Sequence, residues 1–122
     1  MSPRRDIDRL ADMRAALADI RDMTTGDREG FDADRRTQQA VAYNLAVLGE
    51  AARALSPELR DRYPDVPWRD MIAQRNVAVH QYHSLDVESL WSTAKDDLPQ
   101  LDQQLAAIEQ AEARPGIARP EG

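Results

Sequence analysis

Arg75, Asn76, His80 and Tyr82 fall within the eight-residue run RNVAVHQY, which brings one of the two histidines of this sequence together with an arginine, an amide and a phenol. A histidine near its unperturbed pKa can take a proton from a ribose 2′-hydroxyl or give one to a leaving oxygen. An arginine presents a fixed fork of donors to phosphate oxygens and stabilises charge that develops on them. Together they could cleave RNA without a metal, the 2′-hydroxyl serving as nucleophile. No group of carboxylates in the sequence resembles a two-metal site.

Each residue also has a simpler reading. His80 at a helix end could cap the helix and nothing more. His80 and His83 are spaced for a shared metal, but no further ligand stands close to them in sequence. Tyr82 could be a core aromatic with its hydroxyl at the surface. On an ideal helix Arg75 and Tyr82 lie nearly on one line, whereas Arg75 and His80 lie about 140° apart. The pair therefore converges only if the helix unwinds near His80 or a second subunit completes the site.

The elements that must hold this run are helical. Ile7, Leu10, Met13, Leu17 and Ile20 form one stripe over residues 3–23, the spacing of an amphipathic helix. Residues 27–31 read as a polar connection, and Asp32 or Asp34 can cap a second helix running to about Leu55. That helix carries two apolar stripes, Val41-Leu45-Leu48-Ala52-Leu55 and Ala40-Tyr43-Val47-Ala51-Ala54. So much apolar circumference suits a helix central in its own bundle and also in reach of a partner subunit.

Ser56-Pro57-Glu58 is a start signal for a short helix to about Tyr63. Pro64 and Pro67 enforce a bend, and a third main helix spans Trp68 to about Gln81. From the cap Asp86, the positions Val87, Trp91, Ala94, Leu98, Leu101, Leu105 and Ile108 alternate fours and threes. Pro99 inside that run should kink or split the helix. The expected fold is all-α, a bundle of four to five helices with a proline-kinked C-terminal helix and a frayed tail over 114–122.

The 122 residues suffice for one core. There is no cysteine, which removes disulfides and thiolate metal sites. The N-terminus has no apolar signal region and no run is apolar for the roughly 20 residues that span a bilayer, so a cytoplasmic protein is expected. The net charge of −6 is opposite to the basic surface usual for gripping a long stretch of nucleic acid, so any such contact must be local, through a few arginines, or assembled between subunits.

RNVAVHQY resembles the R-x4-H-x-Y signature of the HepT-like branch of the HEPN superfamily. The surrounding AVAYNLAVLGEAARALSPELRDRYPDVPWRDMIAQRNVAVHQY, with Asn44 and the Gly49-Glu50-Ala51 step, is similar to that family's central block. DVESLWSTAKDDLPQLDQQL is similar to its closing helix. The resemblance implies that residues 1–113 form a HepT-like helical domain and that the protein is a homodimeric, metal-independent ribonuclease toxin needing no cofactor.

Carried onto this sequence, the resemblance makes Arg75 and His80 catalytic at a dimer interface. Asn76 would orient the site or bind phosphate, with Glu50 and Asn44 supporting. It also implies a partner, an MntA-like nucleotidyltransferase antitoxin that transfers AMP from ATP to Tyr82. The added phosphate would crowd Arg75 and His80 and occupy the arginine. Glu50 reads equally well as a buried or interface charge paired with an arginine such as Arg75. The competing class is a non-catalytic module that holds a nucleotide or a partner in the same groove.

Overall fold

The computed structural model describes residues 5–80 and 85–113, and for 76–80 it describes the backbone alone. The first long helix, α1, spans Asp6–Met23, followed by a short α2 at Arg28–Asp32 and a long α3 at Arg35–Ala54. A short α4 spans Pro57–Arg62 and the long α5 spans Trp68–His80. The last rod runs from α6 (Val87–Ser92) through a π-helical turn (Thr93–Asp97) into α7 (Leu98–Ala113). Four long rods thus make the bundle, with no strand among the described residues, as the all-α reading expects.

Helix α3 is the centre of the packing, lying against both α1 and α5. Its first stripe is wholly inside: Val41, Leu45, Leu48, Ala52 and Leu55 are all buried. From α1 the stripe Leu10, Met13, Leu17 and Ile20 enters the same core, and Leu98, Leu101, Leu105 and Ile108 enter from α7. The second stripe of α3 behaves differently. Ala51 is buried, but Tyr43 is 68% exposed, the one large exposed hydrophobic among the described residues.

Local chemistry sets the element ends. Asp34 accepts from the Thr37 amide at 3.1 Å and from its hydroxyl at 2.7 Å, and this choice of cap settles the alternative with Asp32. The Thr37 hydroxyl bond, above all, holds the Asp34 carboxyl below its ordinary pKa. Ser56 caps α4 by accepting from the Leu59 amide at 3.2 Å while its hydroxyl donates to Asp6 at 2.6 Å. One serine therefore ends the α3–α4 connection and pins it to the start of α1.

Two local expectations change. The connection over 27–31 is not simply polar: Asp27 caps α2, and Phe31 turns inward to stack at 5.1 Å on Trp91. The side-chain amide of Gln38, itself buried, donates to the Phe31 and Asp32 carbonyls at 2.8 and 3.1 Å. That satisfies helix-end acceptors a five-residue helix leaves open. The second change concerns Pro99. The irregularity lies one turn earlier, where the Leu98 amide reaches back five residues to the Thr93 carbonyl. A proline offers no N–H and its ring crowds the carbonyl four residues back, so the wider π turn absorbs the misfit and the helix continues.

Charged links lock the rods. Arg14 joins α1 to α7 through Asp102 at 3.3 Å and Glu109 at 2.9 Å. Lys95 of the π turn donates to the Thr24 carbonyl at 2.8 Å and sits 5.1 Å over the Trp91 ring. Near the far end of α7, Glu112 accepts from Arg62 at 2.8 Å and from the Tyr63 hydroxyl at 2.7 Å.

Burial, and then the bond to Glu112, raises the Tyr63 phenol above its ordinary pKa. The neutral phenol is the form the fold prefers. Its contribution is complete below the ordinary value and is lost as pH rises through the raised one. Wild type should therefore exceed Tyr63→Phe in denaturation midpoint at neutral pH, and the gap should narrow above about pH 10. A pH series of urea denaturations checks this; a gap independent of pH would contradict it.

Candidate functional site

The described part of the site is built where α3 and α5 cross. Gly49 lies at the contact. A β-carbon placed on it would stand 2.5 Å from the Arg75 β-carbon and 2.5 Å from the Met71 carbonyl. No side chain larger than hydrogen fits there unless the helices separate, which explains a glycine in a helix otherwise made of strong formers. The close approach brings the Arg75 backbone directly over α3.

The next residue of α3 then reaches the guanidinium. Glu50 Oε1 forms an ion pair with Arg75 Nε at 2.9 Å, with Glu50 54% and Arg75 33% exposed at their side chains. Arg53, one turn on, reaches the other Glu50 oxygen at 3.4 Å. The pairing expected between Glu50 and Arg75 is present, but it is half-exposed rather than buried. At such exposure solvent screens the pair, so its value is orientation more than stability. Glu50 fixes one side of the fork on a rigid helix.

Asn44 stands apart from this pair. Its side-chain amide donates to the Ala40 carbonyl of its own helix at 2.9 Å, one and a half turns before Glu50. Asn76 and His80 are placed on α5 by their backbone only. Tyr82 and His83 lie outside the described residues, as does the tail over 114–122. The metal reading of His80 with His83 falls there too. Among the described residues no three His, Asp or Glu side chains gather closely enough to hold a metal ion. No described helix is long and apolar enough to cross a membrane.

Residues 13–108 match the family model described as "Ribonuclease HepT-like". The chain belongs to the HepT-like family. A relative from Thermococcus cleftensis, named "Probable ribonuclease HepT", is 38% identical over 73 residues, covering 60% of this chain and 66% of the relative. Two relatives from Methanocaldococcus jannaschii, each named a "Putative RNase", match more fully. One is 29% identical over 100 residues, covering 81% of this chain and 92% of the relative. The other is 32% identical over 108 residues, covering 87% and 93%. No solved structure matches the chain.

The family match spans both sides of the crossing, Gly49-Glu50 on α3 and Arg75 on α5. In the sequence Gly49 stands out only as part of the Gly49-Glu50-Ala51 step; its steric role exists only in the packed helices. The available signal was a lone glycine among Ala, Leu and Glu in mid-helix.

Two substitutions separate scaffold from site. Gly49→Ala should overpack the crossing and cost about 1–3 kcal/mol, read as a lower denaturation midpoint. Glu50→Gln should change stability by less than about 1 kcal/mol, the usual range for an exposed ion pair. It should nonetheless shift the Arg75 Nε–Hε resonance in an NMR spectrum. An unmoved resonance would mean Glu50 does not hold the guanidinium in solution.

Proposed function

We propose that this protein is a metal-independent endoribonuclease, the toxin of a toxin–antitoxin pair, in which Arg75 and His80 act on one phosphodiester at a site completed by a second subunit. The observation that carries the reading is family membership across the segment holding Arg75, Asn76 and His80. The ribonuclease names of the relatives support it. The rigid seating of Arg75 over Gly49, with Glu50 on its Nε, supplies the preorganised cation such chemistry needs.

In this reading the ribose 2′-hydroxyl attacks the adjacent phosphorus. The new bond is O2′–P and the bond broken is P–O5′. His80 handles a proton at this step, taking that of the nucleophile or supplying one to the leaving oxygen. Arg75 faces the non-bridging oxygens as their charge grows. Asn76, one residue along the helix, orients the site or holds phosphate, with Asn44 supporting from α3. The ideal-helix angle between Arg75 and His80, about 140°, is why a second subunit enters the reading.

Regulation would act at Tyr82. A partner nucleotidyltransferase joins the Tyr82 oxygen to the α-phosphorus of ATP and releases pyrophosphate. The resulting phosphodiester would add negative charge and bulk two residues from His80 and, on an ideal helix, about two turns from Arg75 on the same line, where it would compete with substrate phosphate. The second reading, a non-catalytic binding module, draws on the net charge of −6.

Incubating wild type and His80→Ala with total RNA in chelator decides between them. The ribonuclease reading expects cleavage by wild type and a loss of at least about 100-fold in His80→Ala. Intact RNA with both, or equal cutting by both, would overturn it. Co-expression with a minimal nucleotidyltransferase of the proposed kind should add one AMP mass to the peptide carrying Tyr82, and Tyr82→Phe should abolish it. The mass appearing on another tyrosine would end that assignment.

A further inference from the structure

Outside the α3–α5 crossing, a cavity of about 670 Å³ opens between α4, the loop over 63–67 and the start of α5. Two arginines line it, Arg60 from α4 and Arg69 from α5. Arg14, Arg21, Arg28, Arg53, Arg62 and Arg75 all pair with carboxylates. Arg60 and Arg69 have no such partner among the described residues, and the Arg60 Nε is buried with nothing to accept its hydrogen. A buried donor left open is costly, and a guanidinium packed into a wall has already given up much of its freedom. An anion arriving at its outer edge then meets a fixed cation.

The wall is stiff as well as cationic. Pro57, Pro64 and Pro67 all line it, and each fixes its own φ, so little ordering is left to a ligand. The cavity also has a direction. Arg69 and Ile72 line it from α5. On that helix the backbone positions of Asn76 and His80 fall within about 20° of Arg69. The cavity thus sits at one end of the helix face that carries His80, about 16 Å along the axis.

We infer that the Arg60–Arg69 cavity is a phosphate subsite for the RNA strand, holding the backbone about five stacked nucleotides from the bond at His80. This rests on the ribonuclease reading and adds to it where the substrate lies. It also reconciles an acidic chain with RNA, because two unpaired arginines in a preformed hollow give local grip without a basic surface. Asp61 and Asp70 line the same cavity and oppose an anion there, so the subsite is tuned for modest affinity. Removing either acid should strengthen it.

The test uses full-length protein carrying His80→Ala, so that RNA stays intact, and fluorescence anisotropy with a single-stranded dodecamer and a dinucleotide. Adding Arg60→Gln and Arg69→Gln together should weaken dodecamer binding by about tenfold or more. It should flatten the dependence of log affinity on log salt by about 1 per arginine. Dinucleotide binding should not change, since a dinucleotide cannot span the distance. Asp61→Asn, which leaves both arginines in place, should tighten the dodecamer by about two- to threefold and guards against misfolding of the double variant.

Equal losses for both oligonucleotides would mark a structural effect and overturn the subsite. So would a dodecamer affinity indifferent to all of these changes. If the arginine variants are silent while wild-type protein still cuts RNA through His80, the subsite alone fails. If wild type neither binds nor cuts RNA, the ribonuclease reading fails with it.

Discussion

The contact between α3 and α5 at Gly49 is the constraint on which the rest of the site depends. Two helices approach closely only where one lacks a β-carbon, and here the neighbours are a backbone carbonyl and the β-carbon of Arg75 itself. The guanidinium therefore inherits the position of the bundle's central helix. Glu50, adjacent in sequence, is set by the same turn to receive Arg75 Nε. Packing fixes where the cation stands, and electrostatics fixes which way it faces.

That division explains how the core and the site tolerate different environments. Inside, α3 buries Val41, Leu45 and Leu48 and packs against α1 and α5, where burial of apolar surface dominates. Along the Glu50 edge the helix emerges into solvent, and Tyr43 stands exposed on the same side of the element. Anchors at the ends keep the central helix in place. Asp6 with Ser56 holds its C-terminal connection, and Gln38 seals α2 against its first turns.

Much of this was legible in the sequence because periodicity reports burial. The inner stripes Leu10-Met13-Leu17-Ile20 of α1, Val41-Leu45-Leu48-Ala52-Leu55 of α3 and Leu98-Leu101-Leu105-Ile108 of α7 are buried as the periodicity expects, and the Ser56, Asp34 and Asp86 caps followed from short polar side chains before apolar runs. Short-range chemistry alone could not reveal α2, whose single turn is held by Gln38 seven residues beyond Phe31 and by the Trp91 ring far along the chain. The π turn was hidden for a related reason. Pro99 announces a misfit but not where the helix will absorb it, which depends on Lys95 reaching Thr24 across the bundle. At the site, Arg75 and Glu50 were visible as residue types, whereas the steric meaning of Gly49 exists only once two helices cross.

Charge pairing bears on what an acidic chain can do with an anionic substrate. The arginines that join the bundle are neutralised in doing so, Arg14 by Asp102 and Glu109 and Arg62 by Glu112, and Arg28 is neutralised within α2 by Asp32. Each such pair removes a cation from the set available to phosphate, so the usable positive potential is smaller than the composition suggests and concentrates where carboxylates are scarce or badly placed. Arg75 is an intermediate case, since its pairing with half-exposed Glu50 orients it without burying it. A phosphate competing with Glu50 meets a solvent-screened pair. Position is then secured by packing at Gly49 while the charge stays exchangeable, a combination a buried ion pair could not offer because its desolvation would lock both groups in place.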